Sequence, residues 1–215
     1  FCGDDLAAVP APLVVTPIAS GPRAVLRAPA VAAPVTVDGA LDEWPMDDAT
    51  RVVRLEVGPA GEPIAGLRGL ACAAHDAENL YLAVRCTVPK GYKPVAGGDW
   101  GGDGIEVSFR VAEGERRTPI FVLWGTVDGS ISTSPAGGAT LESLGILQAG
   151  TVHRVQVGED AWTSEWSIPL TKLGIDPARD KRLLLNIGYR CLAGDLWIAW
   201  QATGGALYEV DSAGE

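Results

Sequence analysis

The stretch "GIEVSFRV" (104–111) alternates strictly, with Ile105, Val107 and Phe109 on one side and Glu106, Ser108 and Arg110 on the other. Successive side chains of an extended chain point to opposite faces, so this pattern predicts a strand with one apolar and one polar face. In "NLYLAVRC" the same rule puts Leu80, Leu82, Val84 and Cys86 on one face and Tyr81, Ala83 and Arg85 on the other. That run and "LRGLACAAH" before it flank "HDAEN", a hairpin signal. "APVTVDG" predicts a short strand closed by an Asp-Gly turn, and "TPIFVLWGTV", "TVHRVQVG", "AWTSEWSIPL", "RLLLNIGYRCL" and "LWIAWQA" predict further strands. Only "SIPLTKLGIDPAR" offers a short helical turn. Strands at about ten-residue spacing, separated by Gly and Pro turns, predict an all-β sandwich or barrel.

Residues 1–34 break this pattern. They are dense in proline, interleaved with alanine and valine, which removes ladder donors and favours an extended arm or linker. Leu13, Val14, Val15, Ile18, Val25 and Leu26 make it more apolar than a free linker, so it is expected to pack on a surface. The β domain is then residues 35–215, a length that suits one large domain. Apolar residues make up 47% and charged residues 20%, the balance of a globular chain, and the net charge of −10 excludes a nucleic-acid backbone as partner. No apolar run reaches the length of a membrane span. The opening "FCGDDLAAVP" lacks the basic and apolar regions of a signal peptide, although a leader can already have been removed, and Phe1 is a poor neighbour for a lipidated Cys2. Richness in Ala, Gly, Pro and Arg is that of a GC-rich bacterial source.

Chemistry is sparse. Cys2, Cys72, Cys86 and Cys191 show no C-x-x-C spacing, which excludes zinc-ribbon, thioredoxin-type and c-type haem motifs. Cys72 and Cys86 do not face each other across the hairpin, so small buried thiols are expected, with Cys191 able to meet one of them across strands. His75 and His153 lie beside no serine-elbow or cysteine signature, and no His pair has metal spacing. The Gly-rich "GGDWGGDG" opens a strand and not a helix, so it is no phosphate loop. Glu106 with Glu165 or Glu209 is a formally possible carboxylate pair of glycosidase type, but strand carboxylates facing outward are usually solvated. No catalysis is expected. Tryptophan is the richer signal, at seven residues against three phenylalanines. Sugar C–H faces stack on such rings. Trp44, Trp162 and Trp166 are expected in the core, Trp197 and Trp200 on opposite faces of one strand, and Trp100, with no apolar sequence neighbours, at a contact surface.

The order of "VTVDGALDEWPMDDAT" (35–50), "AAHDAENLYLAVRCTVP" (73–89), "DWGGDGIEVSFR" (99–110), "WTSEWSIPLTKLGIDP" (162–177) and "RLLLNIGYR" followed by "WIAWQ" (182–201) resembles the family 9 carbohydrate-binding modules, within the wider group that includes the DOMON domains. The resemblance implies two antiparallel sheets packed face to face as a β-sandwich of jelly-roll or immunoglobulin-like layers, no catalysis, and in many members bound calcium. It further implies a glycan end held between Trp100 and Trp200, with polar contacts from Glu106 and Asn186. Asp38 and Asp42, with Glu43, are the calcium candidates it implies. The single methionine, Met46, lies in a turn, so no haem is expected. The chain departs from the sugar-binding pattern at Val122 and Gly188, where an arginine and a glutamine stand. A sugar hydroxyl buried there without those donors loses about 1–3 kcal/mol each. The implied role is a non-catalytic, extracytoplasmic glycan-binding module, periplasmic or secreted. The alternative is an accessory subunit that docks through its arm onto protein subunits of a membrane-associated assembly.

Overall fold

The computed structural model describes residues 24–98 and 100–213, and shows eleven strands among them. β1 (Val53–Leu55), β2 (Gly69–His75), β3 (Asn79–Thr87), β8 (Val152–Val157) and β9 (Ala161–Pro169) form one antiparallel sheet in the order β1-β2-β3-β9-β8. β4 (Gly104–Glu113), β6 (Phe121–Thr126), β7 (Ile131–Ser134), β10 (Leu183–Cys191) and β11 (Leu196–Ala199) form the second in the order β11-β10-β4-β6-β7, with the two-residue β5 (Arg116–Arg117) against β4. The inward residues of both sheets form one shared core. Leu80, Leu82, Val84 and Cys86 of β3 meet Ile105, Val107 and Phe109 of β4, with Trp162 and Trp166 of β9 between the layers. This is a β-sandwich, and the alternation in β3 and β4 assigns its faces correctly. The three described cysteines are free buried thiols, and the register pairs Cys72 with Ala83 and Cys86 with Gly69, so the hairpin cysteines do not meet.

Two elements differ from the sequence reading. "VTV" (35–37) is not a strand. Instead residues 31–52 cross the outer face of the five-stranded sheet, packing Val35, Val37, Leu41 and Trp44 onto Cys72, Ala74, Tyr81 and Ala83. Sheet pairing is replaced there by a carboxylate. Glu165, fully buried on β9, accepts from the Asp38 and Gly39 amides at 2.9 and 3.0 Å and from Trp44 Nε1 at 2.9 Å. Gly39 is obligatory at this contact: its φ is +88°, and a Cβ would lie 2.9 Å from the Val155 nitrogen. Burial raises the Glu165 pKa, and the three donors pull it back. Glu165→Gln places an amide against donors that need an acceptor, and is expected to lower the stability measured by urea unfolding by about 1–3 kcal/mol. An unchanged midpoint would show that the turn does not depend on this carboxylate.

The second difference is α1 (Leu141–Gly150), a helix with no apolar stripe to announce it. Leu144 and Leu147 are buried while Leu141 is 80% exposed, and Thr140 caps the first turn by accepting from the Ser143 amide at 3.2 Å. Of the proline-rich arm, residues 1–23 lie outside the described residues. Residues 24–31 pack on the sandwich itself, with the Val31 amide donating to the His75 carbonyl and the His75 amide to the Pro29 carbonyl. Among the described residues no helix is long and apolar enough to cross a membrane.

Candidate functional site

The outward residues of β4, β6, β10 and β11 line up in cross-strand rows. One row runs Trp124, Glu106, Gly188, Ala199, and the next runs Thr126, Gly104, Arg190, Trp197. Trp124 points outward and is nonetheless fully buried, because Trp100 stacks on it and Trp197 leans against it. The ring centroids are 5.8 Å apart at an interplanar angle of 20° for Trp100, and 5.6 Å at 48° for Trp197. Trp100 thus finds its apolar partner across the sheet and not along the chain.

Holding Trp100 there requires a backbone that few large residues adopt. Its φ is +64°, a left-handed conformation that costs about 1–2 kcal/mol for a residue with a Cβ. Three contacts fix it. The Trp100 indole N–H donates to Glu106 Oε2 at 3.1 Å, the Arg190 guanidinium donates to the Trp100 carbonyl, and the Gly101 amide closes a turn onto the Gly98 carbonyl. Arg190 also pairs with Asp195 at 2.8 Å and lies over the Trp197 ring, 5.7 Å from its centroid, so one guanidinium positions both rings. The loop is anchored from beneath by buried Asp103, which accepts from the Tyr92 hydroxyl at 2.6 Å, the Val95 amide at 2.7 Å and the Leu192 amide at 3.1 Å.

Beside these rings opens a cleft of about 360 Å³ lined by Trp100, Trp197, Glu106, Val122, Pro59 and Tyr208 among others. Glu106 is 7% exposed on its floor, and burial raises its pKa against the opposing pull of the Trp100 and Ser108 hydrogen bonds. The far wall is the segment 205–208. Asn186 ties that segment down: its amide nitrogen donates to the carbonyls of Gln201 and Leu207 at 3.1 and 3.2 Å, and its oxygen accepts from the Gln201 amide. Gly188 makes room for it, since a Cβ there would lie 2.4 Å from Leu207 Cδ1.

The structure therefore brings Trp100 and Glu106 together and separates the other two candidates from them. Trp200 is in the inter-sheet core, 5% exposed, because Leu196, Ile198 and Trp200 share the apolar parity of β11 and its continuation. Trp197, of opposite parity, takes the place in the cleft. Asn186 is a positioning residue whose amide is spent on the wall. Glu106 and Glu165 lie on the outer faces of opposite sheets and do not pair, and Glu209 is exposed and outside the cleft lining. At the opening turn Asp38 Oδ1 accepts from the Ala40 amide at 2.8 Å. Neither Asp38 nor Asp42 joins a metal-binding group, and among the described residues no three His, Cys, Asp or Glu side chains form one. Met46 packs on Cys72, its sulfur 3.4 Å from Sγ.

No protein-family model and no curated protein matches the chain. Solved structures do. A family 9 carbohydrate-binding module from Caldicellulosiruptor kristjanssonii, in complex with cellotriose, is 10% identical over 80% of this chain and 82% of its own, with a TM-score of 0.55. The same kind of module in complex with glucose matches over 82% and 86%, also at 10% identity and a TM-score of 0.55. A Bacteroides uniformis protein assigned as carbohydrate-binding is 14% identical over 87% of this chain and 95% of its own, at a TM-score of 0.50. The chain has the two-sheet fold of the family 9 carbohydrate-binding modules.

Proposed function

We propose that this domain is a non-catalytic, extracytoplasmic module that binds the end of a glycan in the cleft between Trp100 and Trp197. The observation that carries this reading is one cleft lined by two half-buried indoles, Trp100 and Trp197, together with a buried acceptor, Glu106. Pyranose rings offer flat C–H faces to such rings and hydroxyls to the carboxylate. A cleft of about 360 Å³ is at the small end of ligand sites, which suits a terminal sugar or two and not a chain laid along the sheet. The fold supports the reading, since modules of the same architecture hold cellotriose and glucose. Val122 and the segment over Gly188 remove donors from the floor, so recognition falls to the rings, Glu106 and the polar atoms of Ser134 and Tyr208.

Titration calorimetry with glucose and cellotriose, followed by an array of neutral glycan ends, tests it. Binding is expected, and Trp100→Ala is expected to weaken it more than about tenfold with the thermal transition retained. A wild-type protein that binds no glycan end, or a Trp100→Ala protein that binds as well as wild type, overturns the proposal.

A further inference from the structure

The outer face of the five-stranded sheet is covered over only half its area. Residues 31–52 lie on the half that carries Cys72, Ala83 and Glu165. On the open half, Arg54, Leu70 and Arg85 form one cross-strand row, with Arg68 and Thr87 beside it; the row runs on to Thr163, whose hydroxyl donates to the Gly39 carbonyl of the covering segment at 2.6 Å. Arg54, Arg68 and Arg85 line a groove of about 340 Å³ with Leu70 and Thr87 between them. All three arginines are exposed, and none makes an ion pair or side-chain hydrogen bond among the described residues. The groove continues past Asp160 into a wider one lined by Lys90 and Lys93. On a chain of net charge −10, five cations are thus collected on one strip, against the three acidic residues Glu56, Glu159 and Asp160 in the same lining.

Three guanidiniums with no side-chain partner among the described residues, spaced across adjacent strands about 4.8 Å apart, present forked N–H pairs that match planar or tetrahedral oxyanions. The face is concave and has Leu70 for a stem to lie on. Glu56 and Asp160 line the same groove. A continuous anionic surface such as a lipid leaflet meets those two carboxylates as well as the arginines, whereas a polymer with spaced charges can thread between them. We propose that this strip is a second binding site, for a polysaccharide bearing carboxylate or sulfate groups. In conjunction with the glycan reading of the cleft, on which this clause alone rests, the domain holds glycan on both outer faces and bridges two polymers.

The test uses the Trp100→Ala protein, so that the cleft contributes little, with polygalacturonate and dextran sulfate as probes and dextran as the neutral control. Retention on one or both charged polymers but not on dextran is expected, weakening steeply between low and physiological salt. Adding R54A, R68A and R85A is expected to lower affinity at least tenfold with an unchanged thermal transition, and the matching triple lysine protein to fall between. The probe that binds more tightly tells carboxylate from sulfate. No retention, retention unaffected by the triple alanine change, or retention only on phosphatidylglycerol vesicles overturns the proposal. So does charged-polymer binding that is present in wild type and absent from Trp100→Ala, which would place the polymer in the cleft. Failure of glucose and cellotriose to bind wild type, with polygalacturonate still retained, removes the cleft reading and leaves the strip.

Discussion

Alanine at Trp197 is expected to weaken glycan retention more than about tenfold and leave the domain folded, while alanine at Trp200 is expected to remove about 3–5 kcal/mol of stability. The two rings are three residues apart and face opposite ways. Trp197 is half-buried, leaning on Trp124 and under Arg190. Removing it loses one aromatic contact and one cation–π contact, together about 1–2 kcal/mol of stability. It also deletes one wall of the cleft, and binding should drop more than about tenfold. Trp200 is in the inter-sheet core, and its backbone amide donates to the Ile187 carbonyl at 2.9 Å. Trp→Ala in a packed core costs about 3–5 kcal/mol, a large part of the total stability of a domain of this kind. Urea unfolding and calorimetry on the two variants separate these outcomes. If Trp200→Ala remains as stable as wild type and loses ligand, the parity assigned to β11 is wrong. If Trp197→Ala binds normally, the cleft is not the site.

The same pair shows what could be read in advance. Alternation in β3 and β4 was sufficient to place the core side chains on their face, because each strand carries its large aliphatic residues on one parity. The "LWIAW" run carries large apolar residues on both parities, so its register was ambiguous taken alone. Leu196 and Ile198 mark the core parity, and counting them places Trp200 inside. The Trp100 loop shows the other limit. Its partner Trp124 is 24 residues away, and its anchor Arg190 is 90 residues away, so neither contact has a local signal. Asn186 sits on the right sheet, in the row of Ser108 and Val122 next to that of Glu106, but its role depends on a chain segment, 201–208, that crosses the sheet with no periodic pattern. Of the two positions read as lost sugar contacts, Val122 does line the cleft, while Gly188 is small because Leu207 occupies its space. The strand expected at 35–37 failed for a physical reason, since valine alternation describes any half-buried extended chain, and here the carboxylate of Glu165 satisfies the turn that follows.

A second large effect is expected from acid. His153 on β8 is 1% exposed, its ring stacked on Trp166 at 4.0 Å and its Nε2 at 2.9 Å from Ser164 Oγ. Burial pushes its pKa down from 6.5 to about 4, against the upward pull of the nearby Gly129 and Ser130 backbone. In the unfolded chain the imidazole titrates near its ordinary value, so between pH 6.5 and 4 the unfolded state holds a proton that the folded state refuses. Stability therefore falls as pH falls through that window, by about 3 kcal/mol in all, and levels off below it. Glu106 and Glu165 act in the opposite sense, because burial raises their pKa and the folded state binds those protons more readily. The wild-type curve alone mixes the three. Unfolding free energies of wild type and His153→Leu from pH 7 to 4 isolate the histidine: the carboxylate contributions cancel in the difference, and wild type should lose about 3 kcal/mol relative to the variant across the window. Two parallel curves would mean that the imidazole takes up its proton within the folded core, with Ser164 and the Gly129–Ser130 turn stabilising the cation.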